Sequence, residues 1–219
     1  MNLDQISVVI PTLNAAATLP ATLEALGPVG EIVIADGGSH DGTLETHGAR
    51  VIAAPRGRGS QIAAGVAATT RPWLLLLHAD TRLAPRWREV AAGHMASRTH
   101  QAGYFRLRFD SDDPRARRIE RMVAWRCRAF AMPYGDQALL IHRDLLEAVG
   151  GMRAIPLMED VDLVRRLGRA RLAPLGADAL TSALRYERQG WLRRPLRNLC
   201  CLSLYLLGVP PRTIARLYG

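Results

Sequence analysis

Apolar runs closed by polar punctuation recur four times in the first hundred residues. Ile6 to Ile10 is a β-branched and apolar run closed by Pro11, the pattern of a buried parallel strand. Residues 15–26 carry Leu19, Leu23 and Leu26 at helical spacing, with Thr18 placed to cap and Pro20 in the first turn. Glu31 to Ala35 predicts a second strand ending at Asp36, and a helix is expected to begin within Asp41 to Thr46. Val51 to Ala54, Gln61 to Thr69, Trp73 to Leu77 and Arg86 to Ala96 then read as strand, helix, strand and helix. This alternation predicts a parallel sheet with helices on both faces. Ligands of such sheets bind outside the C-terminal strand ends. The polar clusters fall there: Thr12 to Asn14, Asp36 to Thr43, Arg56 to Gln61 and His78 to Thr81.

The second half is less regular. Gly103 to Phe109 and Ala138 to His142 read as strands, and Arg115 to Met132 as a basic amphipathic helix. Arg143 to Val149 is a helix stopped by Gly150-Gly151. Glu159 to Leu167 is a helix opened by acids and closed by Arg165 and Arg166, as the helix dipole favours. Trp191 to Leu207 is a further amphipathic helix ended by Gly208 and Pro210. No repeat or low-complexity linker divides the chain. The expected organisation is a main domain over 1–188, with an amphipathic helical extension over 189–219 packed on it.

Composition narrows the chemistry. The 219 residues are 48% hydrophobic and carry a net charge of +9, and all 29 basic residues are arginine. Without lysine there is no Schiff-base chemistry and no P-loop lysine. The absence of lysine itself is read as base composition. A pI near 10.6 raises nucleic acid, anionic membrane or phosphorylated substrates as partners. Cys127, Cys200 and Cys201 have neither metal-ligand nor disulfide spacing and read as reduced thiols. A strand is expected to begin within about six residues of Met1, so no signal peptide is expected. The longest uncharged apolar run, Leu199 to Val209, is shorter than the roughly 20 residues a membrane span needs. The expected location is cytoplasmic, with association at the inner face of the membrane.

Three clusters carry candidate chemistry. Asp36-Gly37-Gly38 at a strand end is either a tight turn or an acceptor for a base or ribose donor. His78-Ala79-Asp80 holds two candidate ligands one residue apart, which on a strand end would point the same way. A divalent cation there would hold a diphosphate; otherwise Asp80 caps a helix and His78 is a satisfied core group. Glu159-Asp160 is either a dipole partner or contains a general base for an acceptor hydroxyl. Gly135-Asp136-Gln137 precedes a strand and is a candidate acceptor contact. Trp125, Trp191 and Tyr104 are either core aromatics or sugar-stacking platforms.

Taken in order, these segments resemble the family 2 glycosyltransferases, over roughly residues 5–170. The resemblance rests on Val8-Val9-Ile10-Pro11-Thr12-Leu13-Asn14, Ile32 to Thr43, Arg58-Gly59-Ser60-Gln61, Leu77 to Thr81, Gly150-Gly151 and Met158 to Leu163. It looks nearest to a small single-domain bacterial subgroup, some members of which are associated with arsenosugar biosynthesis. The resemblance implies the GT-A nucleotide-diphosphosugar transferase fold and an inverting transfer from a nucleoside-diphosphate sugar to an acceptor hydroxyl. Pro11, Leu13, Asn14, Asp36 and Gly38 would bind the nucleotide, with Asp36 on the base, and Arg58 would lie near the phosphates. Asp80 would hold metal and diphosphate, with His78 beside it, and Asp160 would be the base, with Glu159 adjacent. The cofactor implied is a divalent cation, Mn2+ or Mg2+.

The chain departs from the family pattern in two places. Asp36-Gly37 stands where two acids are common, and His78 stands for the first acid of the D-x-D-like motif. The Q-x-x-R-W motif of processive synthases is absent. With only Arg58 assigned near the nucleotide, the arginines of Arg115 to Arg128 and Arg193 to Arg197 lie where an acceptor would arrive. That favours a small-molecule or lipid-linked acceptor and peripheral contact with an anionic membrane over nucleic acid. The competing reading is a non-catalytic nucleotide- or membrane-binding protein with a degenerate metal motif.

Overall fold

A computed structural model describes residues 3–46 and 48–218, the side chain of Tyr218 excepted. Its strands in chain order are β1 (Ile6–Thr12), β2 (Glu31–Asp36), β3 (Arg50–Ala53), β4 (Trp73–Leu76), β5 (Thr81–Leu83), β6 (Ala102–Phe109), β7 (Leu139–His142) and β8 (Leu172–Thr181). They form one sheet in the order β3-β2-β1-β4-β7-β6-β8-β5. The first four strands are mutually parallel, and β6 and β8 are parallel to each other. β7 runs antiparallel between β4 and β6, and β5 closes the edge antiparallel to β8.

Alternation along the strands divides the core between two faces. Val8, Ile10, Leu75 and Leu77 pack with helices α1 (Leu19–Leu26) and α3 (Trp87–Ser97). Val9, Leu74, Leu76 and Ile141 pack on the other face with α2 (Arg58–Ala68), α5 (Arg143–Ala148) and α6 (Glu159–Leu167). α4 (Pro114–Phe130) lays Ala116, Ile119 and Val123 on Leu107 and Phe109, and this third cluster also takes in Trp191. The chain ends with α7 (Leu184–Gln189), α8 (Arg193–Leu206) and α9 (Pro211–Tyr218).

The structure amends the sequence reading in several places. β1 continues through Pro11 to Thr12. The carbonyl of Val9 accepts from Leu77 on the β4 side, so Pro11, two residues on, directs its missing N–H to that side as well. β4 stops at Leu76, opposite Val9, so no ladder bond is lost there. Residues 15–18 form a turn rather than helix, and Thr43–Glu45 is a single 3-10 turn where a helix was expected. β5, β8, α7 and α9 were not anticipated.

Candidate active site

The loops after β1 and β2 are laced into one rim. Both oxygens of the buried Asp36 carboxylate are engaged. Oδ1 accepts from Thr12 Oγ1 at 2.8 Å and Ser39 Oγ at 2.5 Å, and Oδ2 from the amides of Gly38 and Ser39, each at 2.8 Å. Burial pushes its pKa up, but these bonds outweigh that and hold it below the ordinary carboxylate value. The four bonds match the carboxylate's acceptor capacity. Asp36 therefore shapes the turn, and contact with a base would require one of these bonds to give way. Asn14, at φ 52°, donates its amide to Ser39 Oγ and accepts from the His40 amide with Oδ1. Buried Gln61 of α2 ties the rim to the sheet by donating to the carbonyls of Thr12 and Ala35. Pro11 is half-buried, and Leu13 and Gly38 are exposed on this rim.

One strand further along the sheet edge, the chain leaves β4 and turns at His78-Ala79-Asp80, with the Thr81 amide bonded to the His78 carbonyl. His78 and Asp80 line the same cleft because of this turn, not because of strand alternation, since β4 has already ended. Asp136, Asp160 and Arg58 line it too. Gly135 carries His78 against its bare Cα: a Cβ there would lie 2.5 Å from His78 Nε2. Burial, together with the Arg58 charge, lowers the His78 pKa to about 4, so the imidazole is neutral at pH 7.

The acidic pair on α6 splits. Met158 precedes the helix in the left-handed region at φ 65°, and the two acids that follow diverge. Asp160 faces the cleft, where Oδ2 accepts from the Gly135 amide at 2.8 Å and lies 3.9 Å from Arg58 Nη2. Glu159 is buried against a small cavity beside Ile62, Leu76 and Leu163, which His78 and Asp160 also border. Its side chain is fully buried, Oε1 pairs with Arg58 Nε, and Oε2 has no hydrogen-bond partner among the described residues. Burial raises its pKa, opposed by Arg58. Glu159 is thus placed against Arg58, outside the lining of the cleft.

The expected acceptor segment divides in the same way. Asp136 lines the cleft, and its buried Oδ1 has no partner among the described residues. Burial raises its pKa, opposed chiefly by Arg126. Gly135 serves Asp160 and His78. Gln137 instead points into the core, donating to the Phe105 carbonyl and accepting from Tyr134 and Arg126, so it is removed from the acceptor set. Trp191 is buried against Phe109, a core aromatic rather than a sugar platform. The far wall is made by Thr181 and Ser182 at the end of β8 and Arg185 and Tyr186 of α7, which no motif marked, and by Asn198 and Arg194 of α8, the latter among the arginines expected near an acceptor.

No group of three His, Cys, Asp or Glu converges as a metal cage among the described residues. The donor chemistry still suits a hard divalent ion. Mg2+-type sites use one or two carboxylates and take their remaining ligands from substrate phosphates and water. Asp80 and the unpartnered Asp136 oxygen provide that number, with the neutral His78 ring beside them.

Gly135→Ala is expected to lower turnover by roughly 10–100-fold, because displacing His78 disturbs the geometry around Asp160. Thermal stability should fall by only about 1–3 kcal/mol, the usual cost of an added methyl in a packed region. Steady-state rates and melting curves of the variant check both figures.

Comparison with known proteins gives the chain its family. The family described as Glycosyl transferase family 2 matches residues 7–157. An uncharacterized glycosyltransferase of Mycobacterium tuberculosis is 40% identical over 81 residues, 35% of this chain and 37% of that protein. A PGL/p-HBAD biosynthesis glycosyltransferase of the same species is 38% identical over 91 residues, 35% and 36% of the two chains. The matched stretch is about a third of these relatives' length. Among solved structures, glucosyl-3-phosphoglycerate synthase of M. tuberculosis, in complex with Mn2+, UDP and phosphoglyceric acid, aligns at a TM-score of 0.59. It is 20% identical, and the alignment covers 94% of this chain and 79% of that one. S. aureus TarS 1–349 aligns at 0.62 with 14% identity, covering 93% and 65%. The fold is the GT-A fold of nucleotide-sugar transferases. The chain belongs to glycosyl transferase family 2.

Proposed function

We propose that the protein transfers a sugar from a nucleoside-diphosphate sugar to an acceptor hydroxyl with inversion at the anomeric carbon. The observation that carries this reading is Asp160, held by the Gly135 amide and facing the cleft that Asp80 and Arg58 also line. In the reaction, the acceptor O–H gives its proton to the Asp160 carboxylate. Its oxygen bonds to the anomeric carbon while the bond from that carbon to the diphosphate oxygen breaks. The electron pair leaves with the nucleoside diphosphate, and Arg58, fixed by Glu159, meets that charge. Asp80, with Asp136 and His78 beside it, would hold a divalent cation, which when bound supplies further stabilisation of the leaving diphosphate. The rim of Pro11, Leu13, Asn14 and Gly38 would receive the nucleoside.

The acceptor hydroxyl belongs to a small molecule, in keeping with the arsenosugar-associated resemblance, or to a lipid carrier. The Mn2+ and UDP named with the M. tuberculosis synthase support the choice of donor and ion to test first. A thermal-shift panel of nucleoside diphosphates and their sugars, with Mn2+ or Mg2+, should single out one base. At 100 times the dissociation constant a ligand adds about 2.7 kcal/mol. For a chain of this size that is a rise of roughly 5–11 °C. A flat response across the whole panel would overturn the proposal.

A further inference from the structure

The leucines of α8 face the wrong way for a helix on a soluble domain. Such a helix normally buries its apolar stripe. Here Leu196 and Leu199 are 56% and 57% exposed, Leu192 just before the helix 72%, and Leu206 and Leu207 at its end 50% and 81%. Their spacing of three, four and seven residues sets them along one face. The opposite side is the polar one. Arg194 and Asn198 line the cleft, and the Tyr205 hydroxyl donates to Asp162 Oδ1 on α6 at 3.2 Å. α9 buries Ile214 and leaves Leu217 67% exposed.

The charge around this stripe says what covers it. After Glu187 the sequence has no acidic residue, while Arg188, Arg193, Arg194, Arg197, Arg212 and Arg216 all fall in that stretch. Arg193, Arg212 and Arg216 are exposed. A second copy seated on this face would bring one positive field against another. A nucleic acid would use the arginines but leave the leucines in water. An anionic lipid surface satisfies both, as basic amphipathic helices lying in the interface plane do. No helix among the described residues is long and apolar enough to cross a membrane.

We propose that α8 and α9 dock the protein on an anionic membrane, leucines at the acyl boundary and arginines on the headgroups. Arg194 and Asn198, which line the cleft, then lie on the side of α8 turned away from the lipid. Docking is a property of this face alone and holds whether or not the transfer chemistry above is correct.

The test is flotation of the full chain with vesicles of phosphatidylcholine and phosphatidylglycerol in equal parts, against phosphatidylcholine alone. Binding is expected on the anionic vesicles and should weaken as salt rises. The double variant Leu196→Glu/Leu199→Glu should reduce it tenfold or more, since it removes inserted apolar area and adds repelling charge. Arg212→Ala/Arg216→Ala should reduce it about fivefold per arginine. Circular dichroism and melting curves establish that the variants fold; both pairs lie outside the cleft. Trp125→Glu, on the separate exposed stripe of α4, should bind as wild type does. The proposal is overturned by no partition of the wild-type chain, by equal partition onto neutral vesicles, or by loss only with Trp125→Glu. A leucine-dependent dimer in sedimentation, without vesicle binding, would overturn it in favour of self-association.

Discussion

Asp160→Asn is expected to lower sugar transfer by about two to four orders of magnitude while leaving nucleotide binding intact. The substitution is close to isosteric, and the asparagine carbonyl can still accept from the Gly135 amide, as Asp160 Oδ2 does at 2.8 Å. The 3.9 Å approach to Arg58 loses its charge, but Arg58 keeps its anchor on Glu159. What disappears is an oxygen able to take a proton. General-base contributions run about 10²–10⁴ in rate, so kcat should fall by that factor while the dissociation constant of the nucleoside diphosphate changes little. Single-turnover kinetics and calorimetry on the same preparation separate the two quantities. Unchanged turnover would remove Asp160 as the base. Glu159→Gln provides the contrast. It acts through the placement of Arg58, so its effect should appear in diphosphate affinity and stability as well as in rate, which a base variant would not show.

The contrast between Asp160 and Glu159 also marks where reading the chain stops. The apolar runs of β1 to β4 made the parallel half of the sheet legible, and with it Asp36 at the end of β2 and the segments after β3 and β4 that carry Arg58 and Asp80. Side-chain direction was not legible at the α6 N-terminus. Two adjacent acids in a first turn look equivalent in sequence, and only the folded chain shows Glu159 fully buried against Arg58 while Asp160 lines the cleft. Asp36 is similar: its acid and glycines signal a turn and a ligand equally well, and the four bonds it accepts are visible only in three dimensions. β8 escaped because Pro174, Gly176 and Asp178 interrupt its apolar pattern. They are tolerated there: Pro174 pairs with Tyr104 just before the register shift that inserts extra residues in β8, and Asp178 accepts from Arg106 Nε at 2.6 Å. With β8 unseen, the far wall of the cleft that follows it could not be placed either.

Asp80→Ala should erase the dependence of nucleotide binding on divalent cation. No hydrogen bond among the described residues engages the Asp80 carboxylate, in contrast to the saturated Asp36 and the anchored Asp160. A half-buried acid kept free in a cleft contributes little to folding. Melting of the ligand-free variant should stay within about 0.5 kcal/mol of wild type, as for substitutions away from packed or paired groups. In the wild-type protein, Mn2+ should tighten nucleoside-diphosphate binding by about tenfold or more, equivalent to about 1.4 kcal/mol. In Asp80→Ala the titrations with Mn2+ and with chelator should superimpose. Asp136→Asn divides the remaining donors. If its unpartnered oxygen is a second ligand, part of the Mn2+ increment goes with it; if not, the increment stays whole. Asp160→Asn should keep the increment in full, because in the proposed reaction the base would act on the incoming hydroxyl and the ion on the departing diphosphate. A wild-type-like Mn2+ dependence in Asp80→Ala would move the ion to other residues and leave Arg58 as the only assigned counter-charge for the leaving group.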